Sequence, residues 1–229
     1  MARRTLMQRF AKWHIWLGWL VGVPMLLWTV SGLVMAARPI EDVRGEALLA
    51  QTAPIATHGL VFPADKIGPV TSLALVQQVD GPAWIVTEPG GGRYRYSARD
   101  GSLIPPVIAS EAQRIAENAW AGEAELASIT YFPADLSPTD LRGGFDVWQA
   151  HFADGTNLYM RADTGEIVAT RTGWWRIYDF MWGLHIMDLQ TREDTSHPVL
   201  IVFAALGVLG SLLGCALLFR RRKARVKGS

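Results

Sequence analysis

The stretch Lys12-Trp13-His14-Ile15-Trp16-Leu17-Gly18-Trp19, running on to Met35, decides the architecture. From Trp13 to Ala37 the sequence carries no Asp, Glu, Lys or Arg, so about 25 residues are free to cross a hydrocarbon core that a helix spans in about 20. Residues 13–36 therefore read as a first membrane span. Trp13, Trp16 and Trp19 form an interfacial belt at its start. Gly18 and Gly22 have the small-xxx-small spacing that lets helix backbones approach, which marks them as the expected contact face. Pro24 is expected to kink the helix, a kink that membrane helices tolerate. The basic lead and the Met35-Ala36-Ala37 end also fit a cleaved signal peptide, but the apolar stretch exceeds the roughly 7 to 15 residues of a signal h-region, which favours an anchor.

Working outward, charge sets the orientation. The lead carries Arg3, Arg4, Arg9 and Lys12, and the far end carries Arg220, Arg221, Arg222, Lys223, Arg225 and Lys227. Residues 38–172 hold 10 Lys+Arg against 17 Asp+Glu. Short basic flanks stay inside, so residues 1–12 and 220–229 are expected to be cytoplasmic tails and residues 37–172 to lie outside the membrane. The expected location is a bacterial inner membrane with a periplasmic central domain. An overall charge of +1 with an acidic middle argues against nucleic acid as a partner. The lone Cys215 falls within the second apolar run, residues 197–219, and excludes an intrachain disulfide or a cysteine metal site.

The middle alternates strand and turn signals. Ser72 to Val79, Ala83 to Val86 and Arg93 to Ser97 read as strands separated by Glu88-Pro89-Gly90-Gly91-Gly92 and followed by an Asp100-Gly101 turn. Ser110 to Trp120 reads as a helix with Ser110 as N-cap, Gln113 at the capping-box position and an apolar face of Ala112, Ile115, Ala116 and Ala119. Ile129 to Phe132, Asp146 to Ala153, Thr156 to Arg161 and Ile167 to Thr170 read as a meander, with Asp154-Gly155 as a hairpin turn. The expected fold class is a membrane-anchored α+β protein with one helix covering a face of an antiparallel sheet. Residues 173–189 are too charged to span and too aromatic for ordinary solvent, so they should lie along the outer interface as a helix. At helical spacing Trp174, Tyr178, Met181 and His185 share one of its faces.

The Ser110 to Thr170 block resembles a PepSY domain, and residues 56–105 resemble a degenerate partner copy. With a His-bearing span before it and a Trp/His-rich segment plus a second span after it, nearly the whole chain is similar to the PepSY-associated transmembrane family. That resemblance implies haem b and membrane electron transfer toward a ferric chelate, as in ferric-siderophore reduction or iron uptake, with His14 and His185 as the matching positions. Longer members of the family have extra spans; this chain has two.

Imidazole is a haem axial ligand, and a bis-histidine iron shuttles electrons. His14 at the mouth of span one, His185 on the interfacial helix and His197 at the start of span two are the candidate cofactor and iron ligands, three of five histidines. A helix from residue 14 to 36 rises roughly 33 Å, so His14 cannot share an iron with the other two. His185 and His197 can turn toward each other across twelve residues, whereas His14 requires a second subunit, which favours a homodimer or association with other membrane subunits. Each histidine also has a plainer role: anchor beside the Trp belt for His14, membrane contact for His185, helix start for His197. His58, His151, Met181 and Met187 read as structural. Asp179 and Asp188, with Arg176 and Arg192, read as a solvated interfacial face or as propionate partners. No GxSxG, HExxH, phosphate loop or Cys-x-x-Cys-His run occurs, leaving enzymatic activity open. The competing expectation is a non-catalytic, membrane-tethered binding or inhibitory module, or an accessory subunit of a metal-uptake system.

Overall fold

The computed structural model describes the backbone of residues 2–226 and the side chains of residues 6–219. The expected tail charges at Arg3, Arg4 and Arg220 onward have side chains outside the described residues, and Lys227 lies outside them entirely. The chain is α+β, with two four-stranded antiparallel sheets and two helices long and apolar enough to cross a membrane. It divides into two compact units, one gathering residues 1–38 with 177–229 and the other Pro39–Arg176.

In the first unit α1 (Ala2–Ala36) runs unbroken through Pro24, and its apolar span begins at Leu6. The backbone of the basic lead from Ala2 is thus helical and continuous with the span. At 1.5 Å per residue α1 is roughly 52 Å long, longer than a hydrocarbon core of about 30 Å. The last helix, α5 (Pro198–Val226), starts on a proline, whose fixed φ and missing N–H suit the first helical position. Trp16 is 75% exposed, Trp19 81% and Leu33 72%. Helices that leave large apolar groups uncovered in this way are compatible with crossing a membrane.

The two helices pack antiparallel: the ring of His14 lies against Gly214, Leu17 against Gly210 and the Met25 sulfur against Gly207, with Val21 buried between. Within the chain, α5 does not pack on the Gly18 and Gly22 face. Gly18 and Gly22 have nothing within 4 Å of where a side chain would begin. Small residues earn close approach only if the partner brings bulk to them, and here the bulk is on α1 and the glycines are on α5.

The second unit opens with the short α2 (Ile40–Arg44). Then β1 (Ser72–Gln78), β2 (Gly81–Thr87), β3 (Arg93–Ser97) and β4 (Leu103–Ile104) form a meander in chain order. After α3 (Ala109–Ala119), a second meander follows: β5 (Leu126–Phe132), β6 (Val147–Phe152), β7 (Asn157–Arg161) and β8 (Ile167–Arg171). Within this unit the first sheet is preceded by the five-residue α2 and the second by the eleven-residue α3. The Asp154-Gly155 turn needs the left-handed backbone that glycine adopts freely (φ 83°), and the Asp154 carboxylate accepts the Thr156 N–H at 2.8 Å.

Ala112, Ile115 and Ala116 of α3 are buried on Ala150, Phe152, Leu158 and Met160, where Trp120 stacks on Phe152. The opposite face of the second sheet is covered by Leu141 and Phe145 of the β5–β6 connection. The helix is not capped as expected: its N-cap is Ile108, with no side-chain cap bond, and Ser110 lies inside the helix. Val107 donates its N–H to Ala162 O at 2.7 Å, which holds the chain extended up to Ile108 and lets the helix begin at once. Gln113 instead reaches Glu117. The first sheet joins α3 through Arg95, which is 1% exposed and forks onto Glu111 at 2.7 and 2.8 Å.

Candidate functional site

His14 lies within the helical pair, against α5. Its Nδ1 sits 3.0 Å from the carbonyl oxygen of Gly210, and a carbonyl only accepts, so Nδ1 carries a proton and, in the neutral ring, Nε2 keeps its lone pair. A Cβ on Gly214 would come within 2.9 Å of His14 Cε1. The glycine is therefore the recess into which the imidazole fits.

His185 belongs to α4 (Gly173–Ile186), the aromatic helix. Trp28 of α1 donates its indole N–H to the His185 carbonyl at 2.5 Å. One turn on, the buried Ser31 places Oγ 3.0 Å from His185 Nδ1, and Gly32 leaves room for the ring edge at 3.5 Å. The face of α4 that is buried is Asp179, Gly183 and Ile186, while Ile177 and Phe180 are 45% exposed. Apolar groups outward and a carboxylate inward invert the expected solvated face. Asp179 is instead neutralised by Arg192 at 2.5 Å, which is what a buried carboxylate requires. Arg176 pairs elsewhere, with Asp140 at 3.6 Å.

Asp188 is buried too. It accepts the Thr191 hydroxyl and the N–H groups of Gln190, Thr191, Glu193 and Asp194. Those bonds, led by the Thr191 hydroxyl, hold its carboxyl well below the usual range. The loop they organise delivers the chain to His197, which immediately precedes α5 and has a buried Nδ1 with no hydrogen-bond partner. The antiparallel register, with residue 25 opposite 207, carries His197 to about the depth of Met35 on α1, at the Ser31–Gly32 end. His185 and His197 thus share the same end of the helical pair. Between residues 14 and 31 α1 rises roughly 26 Å, so His14 stands at a separate level.

His58 is exposed in a turn, and His151 Nδ1 is held by Asn157 Oδ1 at 2.7 Å. Among the described residues no three His, Cys, Asp or Glu side chains converge on a metal position. The chain has no match among family models, curated proteins or solved structures. A haem asks less of a protein than a metal cluster, because the porphyrin supplies four ligands and the chain only the axial ones. Three observations suit it: the bare Nε2 of His14, the Gly214 recess and the orphaned Nδ1 of His197. Ser31, Trp28, Gly210 and Gly214 were not legible as site residues from sequence. The signal was the run Gly207, Gly210, Ser211, Gly214, whose three-and-four spacing makes one small-residue face on α5.

Proposed function

We propose that this chain is a PepSY-type membrane protein that holds haem b on His14, and on His185 with His197, and passes electrons across a bacterial inner membrane to an extracytoplasmic acceptor such as a ferric chelate. The observation that carries the proposal is the His14 Nδ1 contact with the Gly210 carbonyl. Metal-bound histidines donate their other ring N–H to a carbonyl or carboxylate, which fixes the tautomer and raises ligand basicity. Haem, when bound, supplies a one-electron iron couple. The chain's own work is to present imidazole lone pairs at two depths, exclude water with apolar helix faces, and keep Asp179 neutralised beside the outer level. A groove of about 360 Å³ along α1 and α5, lined by Met25, Trp28, Gly207 and Ser211 among others, adds an apolar wall between the two levels. Basic ends and an acidic middle support an orientation with both termini inside.

An absorption spectrum of the purified, haem-supplemented protein tests this. A low-spin haem band that weakens in His14→Ala and in His185→Ala is the expected result; no band, or one indifferent to both substitutions, defeats the proposal. A second reading, a tethered binding or inhibitory module, draws on β1, an edge strand whose first three residues are exposed and whose outer backbone groups are available for strand addition. It requires activity that survives loss of all three histidines and fails on substitutions in β1.

A further inference from the structure

Ser31 is fully buried in an apolar helix and makes two contacts with one hydroxyl proton. Its Oγ is 3.2 Å from Trp28 O and 3.0 Å from His185 Nδ1. The Trp28 carbonyl only accepts, whereas an imidazole nitrogen donates or accepts according to its tautomer. If the hydroxyl proton pointed at Nδ1, an oxygen lone pair would face the carbonyl lone pairs. Both contacts become bonds in a single arrangement: His185 Nδ1–H donates to Ser31 Oγ, and Ser31 donates to Trp28 O. We infer that Ser31 is a positioning residue that fixes His185 as the Nδ1–H tautomer and leaves Nε2 bare for iron.

Ser31 thereby does for His185 what the Gly210 carbonyl does for His14. The two rings are set alike by different means, a main-chain oxygen at one level and a relayed hydroxyl at the other. Trp28 completes the arrangement by pinning the His185 backbone through its carbonyl, so ring and main chain are both held from adjacent turns of α1. The inference takes its purpose from the haem proposal and its geometry from these contacts alone.

The test is the imidazole nitrogen chemical shifts of the full-length protein, labelled at histidine and held in detergent, beside its haem retention. Wild type should show His185 protonated at Nδ1. Ser31→Ala should move His185 toward the Nε2–H or mixed state, leave His14 unchanged as internal control, and weaken haem retention at the His185 level by about 10- to 100-fold. Ser31→Cys, which keeps the shape and a weak acceptor, should fall between them. A wild-type His185 protonated at Nε2, or a tautomer unmoved by Ser31→Ala, overturns the inference. Should the shifts behave as expected in a protein that takes up no haem, the Ser31 inference stands and the proposed function falls.

Discussion

At the residue scale, two glycines separate a tight recess from an ordinary contact. At Gly214 an added Cβ meets His14 Cε1 at 2.9 Å and Nε2 at 3.5 Å, while at Gly32 it meets His185 Cε1 at 3.5 Å. The first distance forces the imidazole to move and the second does not. Because the His14 Nδ1 bond to Gly210 depends on that ring position, Gly214→Ala should cost His14 its tautomer and its direction together. If His14 holds haem as proposed, the expected effect is a loss of haem at the His14 level of about tenfold or more, approaching His14→Ala, given how strongly outer-shell partners govern ligation. Gly32→Ala should retain haem close to wild type. Absorbance per mole of protein distinguishes the two, and equal effects would remove the recess from the account.

At the scale of elements, the sheet unit is joined to its helix by charge. Arg95 is buried and fully engaged by Glu111, Pro105 O and Gln78. Removing one partner of such a pair leaves an uncompensated charge, whereas replacing both with apolar groups can be neutral. Arg95→Met alone should lower stability by about 3–5 kcal/mol, and Arg95→Met with Glu111→Leu by much less; denaturant unfolding of the four proteins of the cycle measures this. The α4–α5 loop has an acid limit instead. Asp188 titrates lower folded than the roughly 3.9 of a free aspartate, so its support is complete above that value and is lost as pH falls toward the lowered folded one. Amide exchange at Gln190, Thr191, Glu193 and Asp194 should rise on acidification and be fast and pH-flat in Asp188→Ala beyond the intrinsic exchange trend. Strands and turns were legible because alternation and Asp-Gly pairs act within a few residues. The Ile108 cap and the inward Asp179 were not, because each depends on a distant partner, Ala162 for the chain leading into the cap and Arg192 for Asp179.

At the scale of the whole molecule, the decisive quantity is the rise of α1 between the two histidine levels. His14 is held by α5 at Gly210 and Gly214, and His185 by Ser31 and Gly32, roughly 26 Å further along α1. Among the described residues the two rings share no hydrogen-bond partner, so perturbations at the two levels should be independent. The open Gly18 and Gly22 face of α1, beside Ile15, Trp19 and Leu26, leaves space beside the His14 level that α5 does not fill. If each level holds its own haem, His14→Ala and His185→Ala should each remove a distinct part of the absorption and of the redox titration, and the double variant should remove their sum. His197→Ala should remove the His185 part and spare the other, because His197 lies at the same end of the helical pair as His185. A single haem held by one level predicts that one histidine variant abolishes the whole spectrum and the other leaves it intact, so the pattern across four proteins decides whether the proposed haem sites number one, two or none.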